Sequence, residues 1–188
     1  MTRRTFWKLL TGIPVFLGFV RSAPAAPVAS MKEVEDLQKN WKSLLAAGAE
    51  VAAAPTPPLN RPNSEWKKLL SAAAYNVLRE EGTERPGSSP LNAEKRPGVF
   101  VCAGCALPLF TSAMKYDSGT GWPSFFTTIP GAFGTSTDHL LLYPRTEYHC
   151  ARCGGHHGHV FDDGPPPTGK RYCNNGVALR FIPKTGKA

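Results

Sequence analysis

The sequence predicts a mainly β fold: antiparallel sheets joined by long loops, built around a four-cysteine metal site and preceded by one or two helices. Three observations carry this. Helical periodicity is confined to the front, over Ser30 to Ala47 and from Asn63 or Ser64 to Gly82. The remainder is short extended runs broken by Gly and Pro, among them Leu140 to Tyr143, His159 to Phe161 and Val177 to Phe181. Four of the five cysteines stand in two Cys-x-x-Cys pairs, Cys102 with Cys105 and Cys150 with Cys153. A length of 188 residues suits one ordinary domain with extra N-terminal matter, and no internal repeat is evident.

In chain order, Met1 to about Ala25 lacks acidic residues, opens with Arg3-Arg4 and continues through the apolar stretch Leu9 to Val20. That stretch is shorter than the roughly 20 apolar residues a bilayer needs, and it reads as a signal peptide of the twin-arginine kind with an A-x-A-like cleavage site at Ala23-Pro24-Ala25. A retained N-terminal anchor is the alternative. Removal takes Arg3, Arg4, Lys8 and Arg21 with it, so the formal charge falls from +8 to +4. So mild a charge argues for no nucleic-acid partner, and no cluster of Lys and Arg beside aromatics is seen. The expected location is the periplasm of a bacterium, with no membrane insertion after cleavage.

Residues 26–62 read as a helix and a Pro-rich linker. Ser30 and Glu33 form a capping box; Val34, Leu37, Trp41, Leu44 and Leu45 form an apolar stripe; Gly48 stops the helix. Pro55, Pro57, Pro58 and Pro62 make the linker stiff. Residues 63–185 read as the functional domain, opened by a helix with Trp66, Leu69, Leu70, Ala73, Val77 and Leu78 on one face.

Each Cys-x-x-Cys pair can present two thiolates from one tight turn, and together they offer the four sulfur ligands of a closed, structural zinc site. Val99 to Val101 and Glu147 to His149 lead into the turns as strands would, and Gly104 and Gly154-Gly155 supply freedom at positive φ. Two disulfides are the alternative in an exported protein. Cys173 has no partner left. A free cysteine is either a packed small hydrophobe or a reactive thiol, and Arg171, His156, His157 and His159 nearby favour a raised thiolate fraction.

Cys102-Ala103-Gly104-Cys105, Lys115 to Phe125 with its Gly121-Trp122-Pro123-Ser124, Arg145-Thr146-Glu147, Cys150-x-x-Cys153, His156-x-x-His159 through Asp162-Asp163-Gly164-Pro165, and Arg171-Tyr172-Cys173-Asn174-Asn175 follow one another in the order and spacing of type B methionine sulfoxide reductases, which the chain resembles from about Trp66 to Phe181. The resemblance implies two small antiparallel sheets with one structural zinc on Cys102, Cys105, Cys150 and Cys153, and reduction of free or protein-bound methionine-R-sulfoxide as protein repair under oxidative stress. Cys173 would be the nucleophile that becomes a sulfenic acid. His156 and His159 would supply the proton, Arg171 would lower the thiol pKa, Asn175 would fix the sulfoxide, and Trp122 and Phe125 would bind substrate. Thr120 stands where many members carry a second cysteine, which implies a one-cysteine form recycled by an outside thiol reductant, thioredoxin-like or other. Asn174 and His157 stand where the family usually has apolar residues. Twin-arginine export is understood to carry folded proteins, so zinc would load before oxidation could pair its thiols. A non-catalytic zinc-binding interaction module would explain the four paired cysteines equally well, but gives no reason for Cys173, the histidine pair and Trp122 to occur together.

Overall fold

The computed structural model describes residues 28, 30–52, 57–138 and 144–184. The leader expected over residues 1–25, and the extended run expected from Leu140 to Tyr143, lie outside these.

Helix α1 (Met31–Lys39) starts where Ser30 Oγ accepts from the Glu33 N–H at 3.3 Å. It is shorter than the sequence suggests. Asn40 leaves helical geometry, Ser43 draws the Asn40 carbonyl to its own N–H and hydroxyl, and the chain tightens into a 3-10 turn over Trp41–Leu44. Val34 and Trp41 are thereby buried, and Gln38 Nε2 donates to Thr127 Oγ1 at 2.7 Å, so this front segment packs back onto the body. The segment after it lies against the protein as well. The Ala52 N–H donates to Ala106 O at 3.0 Å and the Leu59 N–H to Arg152 O at 2.6 Å, one bond to each cysteine turn.

The second helix is in fact two, α2 (Asn63–Leu69) and α3 (Ala72–Glu80). Leu70 is extended, and Ser71 Oγ caps the new start by accepting from the Ala74 N–H at 3.2 Å, an option that periodicity alone does not reveal. Trp66, Tyr75, Val77 and Leu78 are buried and Leu69 is exposed.

Nine strands follow among the described residues: β1 (Gly98–Cys102), β2 (Pro108–Thr111), β3 (Lys115–Tyr116), β4 (Ser124–Phe125), β5 (Phe133–Asp138), β6 (Arg145–Cys150), β7 (His156–Phe161), β8 (Arg171–Asn174) and β9 (Leu179–Pro183). Gly176–Ala178 is a 3-10 turn, so the last run begins as a strand two residues later than expected. The strands form a three-stranded sheet in the order β2-β1-β9 and a six-stranded sheet in the order β3-β4-β8-β7-β6-β5. Every pairing between them is antiparallel, which fits the predicted class. β1 is buried at every residue, as its unbroken Val99-Phe100-Val101 run requires. Between the sheets lies an aromatic core. Phe125 stacks on Phe110 with ring centres 3.9 Å apart and meets Phe100 edge-on at 5.1 Å, while Phe133 and Tyr148 meet edge-on at 4.8 Å. Such pairs add about 1 kcal/mol each beyond burial.

Candidate functional site

The two cysteine turns have the same construction. Cys102 closes β1 in the small sheet and Cys150 closes β6 in the large one. In the first turn the Ala106 N–H returns to Cys102 O and the Cys102 N–H donates to Leu107 O, both at 2.9 Å. In the second, Gly154 N–H to Cys150 O and Cys150 N–H to Gly155 O repeat this at 2.9 Å. The residue after the second cysteine takes the left-handed conformation in each turn, Gly154 at φ 65° and Ala106 at φ 59°. Positive φ therefore falls on Ala106 rather than on Gly104, at a cost of about 1 kcal/mol for its Cβ.

The four sulfurs of Cys102, Cys105, Cys150 and Cys153 lie within 4.8 Å of one another, all buried. Cys102 and Cys153 approach to 3.7 Å and Cys105 and Cys150 to 3.5 Å. A regular tetrahedron with metal–sulfur bonds of about 2.3 Å separates its sulfurs by about 3.8 Å, whereas a disulfide needs about 2.05 Å. All five cysteines are free thiols here, so the arrangement fits a tetrahedral metal and the disulfide alternative is not realised. Contacts with Cys105, Cys150 and Cys153, together with burial, push the Cys102 thiol well up, and a cation at the centre would favour its ionised form.

Cys173 is placed differently. It lies in β8, paired with Ser124 of β4 on one side and with His159 of β7 on the other, and is partly exposed. Burial pushes its thiol up; Arg171 and the Thr120 hydroxyl oppose that shift without reversing it. Arg171 cannot exert its full charge, because Asp163 holds it in a two-pronged ion pair at 2.7 and 2.9 Å. The guanidinium also lies over the Phe161 ring, 4.3 Å from its centre. Thr120 is fixed by Ser118 at 2.8 Å, which in turn meets Ser124 at 2.7 Å.

On a regular strand His156 and His159, three residues apart, would point to opposite faces. A bulge prevents that. Glu147 pairs with His159 and Tyr148 with Gly158, but His149 pairs with His156, so His157 is the extra residue. Both outer histidines then share the face of Cys173, with ring centres 5.5 Å apart. Each has a carboxylate: Glu147 Oε1 lies 2.7 Å from His156 Nδ1, and Asp138 Oδ2 lies 2.7 Å from His159 Nε2 and 2.5 Å from Arg145. Burial works against the Glu147 carboxylate, yet Ser136 and His156 hold it below its ordinary range. Burial also lowers His159, partly offset by Asp138. His156 keeps its buried Nε2 without a protein partner among the described residues. Gly158 is obligatory at the bulge, where a Cβ would sit 2.0 Å from the Cys173 carbonyl oxygen.

His157 itself turns into the core. It is fully buried against Phe133 and Tyr148, neither ring nitrogen makes a well-formed hydrogen bond among the described residues, and burial pushes its pKa down to about 4, with Cys153 and Asn174 opposing the shift. Asn174 is beside it, accepting from Tyr148 Oη at 3.0 Å. The two residues that depart from the apolar pattern are thus neighbours behind the sheet, away from the Cys173 face.

Trp122 is half-buried and donates from Nε1 to Glu84 O at 3.1 Å. Asn175 is buried; its Nδ2 donates to His157 O at 3.0 Å and its Oδ1 accepts from the Glu84 N–H at 2.9 Å. Phe125 does not join the site. It has no exposed surface and belongs to the aromatic core, because it pairs with Tyr172, the residue of β8 that points away from the Cys173 face. Sequence reasoning gives no role to Asp138, Glu147, Asp163 or Glu84. Glu147 and Asp163 lie within the motifs already singled out; Asp138 is reached only through the β5–β6 pairing.

The SelR domain model matches residues 70–183 of the chain. Among similar proteins, the peptide methionine sulfoxide reductase MsrB of Agrobacterium fabrum is 47% identical over 129 residues, 68% of this chain and 96% of the relative. The MsrB of Pseudomonas putida is 50% identical over 125 residues, 65% of this chain and 92% of the relative. The chloroplastic peptide methionine sulfoxide reductase B1 of Arabidopsis thaliana is 49% identical over 119 residues, 63% of this chain and 59% of the relative.

Proposed function

The chain belongs to the SelR-domain family of type B methionine sulfoxide reductases, and on that premise we propose that it reduces methionine-R-sulfoxide, free or in oxidised proteins, through Cys173. The observation that carries this reading is the placement of the fifth thiol, outside the four-sulfur cluster and directly across from His159 on the face that also holds His156. Sulfoxide reduction needs a thiolate to attack sulfur and a donor to protonate the departing oxygen. Cys173 supplies the first. His156, held by Glu147 and with Nε2 unclaimed among the described residues, supplies the second.

In the step itself the substrate's sulfur–oxygen bond breaks and a sulfur–oxygen bond forms on Cys173. Methionine leaves reduced by two electrons, and Cys173 remains as a sulfenic acid. The only other cysteines belong to the cluster. One outside thiol therefore displaces water from the sulfenic acid to give a mixed disulfide, and a second releases Cys173 as that disulfide leaves. Trp122 holds the methyl group on its ring and Asn175 orients the sulfoxide. Arg171, anchored by Asp163, favours the thiolate within its reach.

The cluster is assigned zinc, held by Cys102, Cys105, Cys150 and Cys153. A closed four-thiolate ion of this kind supplies folding energy, here by joining the ends of β1 and β6 across the two sheets. The leader read over residues 1–25 supports twin-arginine export of the folded, metal-loaded protein to the periplasm.

The test is reduction of R- and S-methionine sulfoxide by the purified protein with excess dithiothreitol, beside Cys173→Ser with its metal content measured. Reduction of the R form alone, lost in the variant at unchanged zinc, is expected. Turnover of neither isomer by a folded, zinc-loaded wild type would overturn the reading in favour of a binding module.

A further inference from the structure

Glu84, outside the reacting pair, ties together several parts of the site. The Glu84 carboxylate accepts from the Gly176 N–H at 2.6 Å through Oε1 and from the Val177 N–H at 3.0 Å through Oε2. Those two amides open the 3-10 turn that comes after Cys173-Asn174-Asn175. The same residue's main chain faces the other way. Its N–H donates to Asn175 Oδ1 at 2.9 Å, and its carbonyl accepts from Trp122 Nε1 at 3.1 Å. The side chain therefore fastens the loop before Pro86 to the backbone behind the nucleophile, and the fastened loop holds the two groups that would grip the sulfoxide. Contact there is close, since a Cβ added at Gly176 would lie 2.0 Å from Ser89 Oγ and 3.2 Å from Glu84 Oε1.

We propose, resting on the substrate-binding roles of Trp122 and Asn175, that Glu84 is a positioning residue of the substrate cradle. Its carboxylate, by anchoring the residue, sets the spacing between the Trp122 ring and the Asn175 amide, which its own main chain holds. Hydrogen bonds from amides to a carboxylate are about twice as strong as neutral ones, and two of them pointing at two oxygens fix the carboxylate's plane. Glutamine keeps the shape but presents an NH₂ where one of the amides needs an acceptor, so one of the two bonds is lost and the loop gains freedom. A misplacement of about 1 Å at a positioning group costs on the order of 100-fold in rate. Nothing in this network touches the Cys173 sulfur, so the reactivity of the thiol itself should be spared.

The experiment uses the full zinc-loaded chain and compares wild type, Glu84→Gln, Trp122→Phe and the double variant. Three quantities are measured: kcat/KM for R-methionine sulfoxide with dithiothreitol, the rate of Cys173 alkylation by iodoacetamide, and bound zinc. Glu84→Gln is expected to lower kcat/KM about tenfold or more with KM raised, while alkylation stays within twofold and zinc is retained. Because Glu84 acts partly through the indole, the double variant should fall short of the product of the two single effects. A loss of less than threefold in Glu84→Gln would overturn the proposal. So would a parallel fall in alkylation or zinc, which marks a residue that merely holds the fold, and so would fully multiplicative effects in the double variant. A wild type that reduces neither isomer would overturn the reductase reading and this inference together; a wild type active on the R form with an unaffected Glu84→Gln overturns the inference alone.

Discussion

The five thiols of this chain are one chemical group in two settings. Four of them sit in two turns that follow strands of different sheets, buried, within 4.8 Å of each other, each turn closed by a matched pair of backbone hydrogen bonds. The fifth sits mid-strand in β8, half open, flanked by a hydroxyl, an imidazole and a guanidinium already shared with Asp163. The first setting gathers four buried sulfurs around one point that a metal ion could fill. The second leaves a single sulfur with room on one side and polar groups that favour its charge. Burial raises the Cys173 thiol overall, so the reaction proposed above would draw on orientation and proton supply more than on a strongly acidic thiol.

The contrast breaks most sharply on exchange of ligands. Cys150→Ala should unfold the protein or lower its melting temperature by tens of degrees in circular dichroism, because structural zinc contributes on the order of 10 kcal/mol of folding free energy. Cys173→Ser should shift stability by less than about 1 kcal/mol and abolish turnover. Equal melting temperatures for the two variants would erase the distinction.

Acid sharpens the comparison next, through the imidazole behind the sheet. His157 has a folded pKa of about 4 against an ordinary 6.5. Its native state binds fewer protons than the unfolded state between those values, so stability is full above pH 6.5 and falls as pH drops towards 4. The loss is about 3 kcal/mol at roughly 1.4 kcal/mol per unit. Urea unfolding of His157→Leu across that window should lack this loss, while acid release of metal affects both proteins alike. Parallel curves would show that the ring is not held neutral.

A smaller effect concerns the open thiol alone. Arg171→Gln should move the pH midpoint of Cys173 alkylation upward, and Asp163→Asn should move it downward by freeing the guanidinium's charge; both variants should leave the zinc-bound thiols unalkylated. Shifts of the same sign would mean that Asp163 acts by placing Arg171 and not by sharing its charge. Smallest of all, Leu59→Pro removes the N–H given to Arg152 O. Loss of a hydrogen bond of about 1 kcal/mol should speed zinc transfer to a coloured chelator roughly fivefold without changing turnover. An unchanged transfer rate would show that the segment around Leu59, a strap across the second cysteine turn, does not guard the cluster.

Much of this is legible in the residues. Cysteine spacing is a covalent pattern, and the two turns it implies need only their own few residues to form. The half-apolar runs around Val99 and Tyr148 announce strands because burial demands it. Other features depend on pairing across long separations. No local signal shows that His157 is a bulge residue, since the register is set by β6 opposite, and yet the bulge is what brings His156 onto the face of His159. Phe125 reads as a substrate contact beside Trp122, but its pairing with Tyr172 turns it into the core. The breaks at Asn40 and Ser71 come from side-chain hydrogen bonds that compete with a helix the apolar spacing would otherwise continue. Asp138 becomes visible only once β5 lies beside β6.

The strap and the helices on either side of it carry one further consequence. Residue 70 is where the family model begins, but Trp41 and Trp66, only 9% and 2% exposed, share an interior with the residues that come after. A version of the chain trimmed to the family boundary would therefore present a freshly cut apolar wall where a solvated surface is needed. In gene-fusion terms, the seam of homology and the seam of folding are different places, and a tag or partner belongs ahead of Ser30.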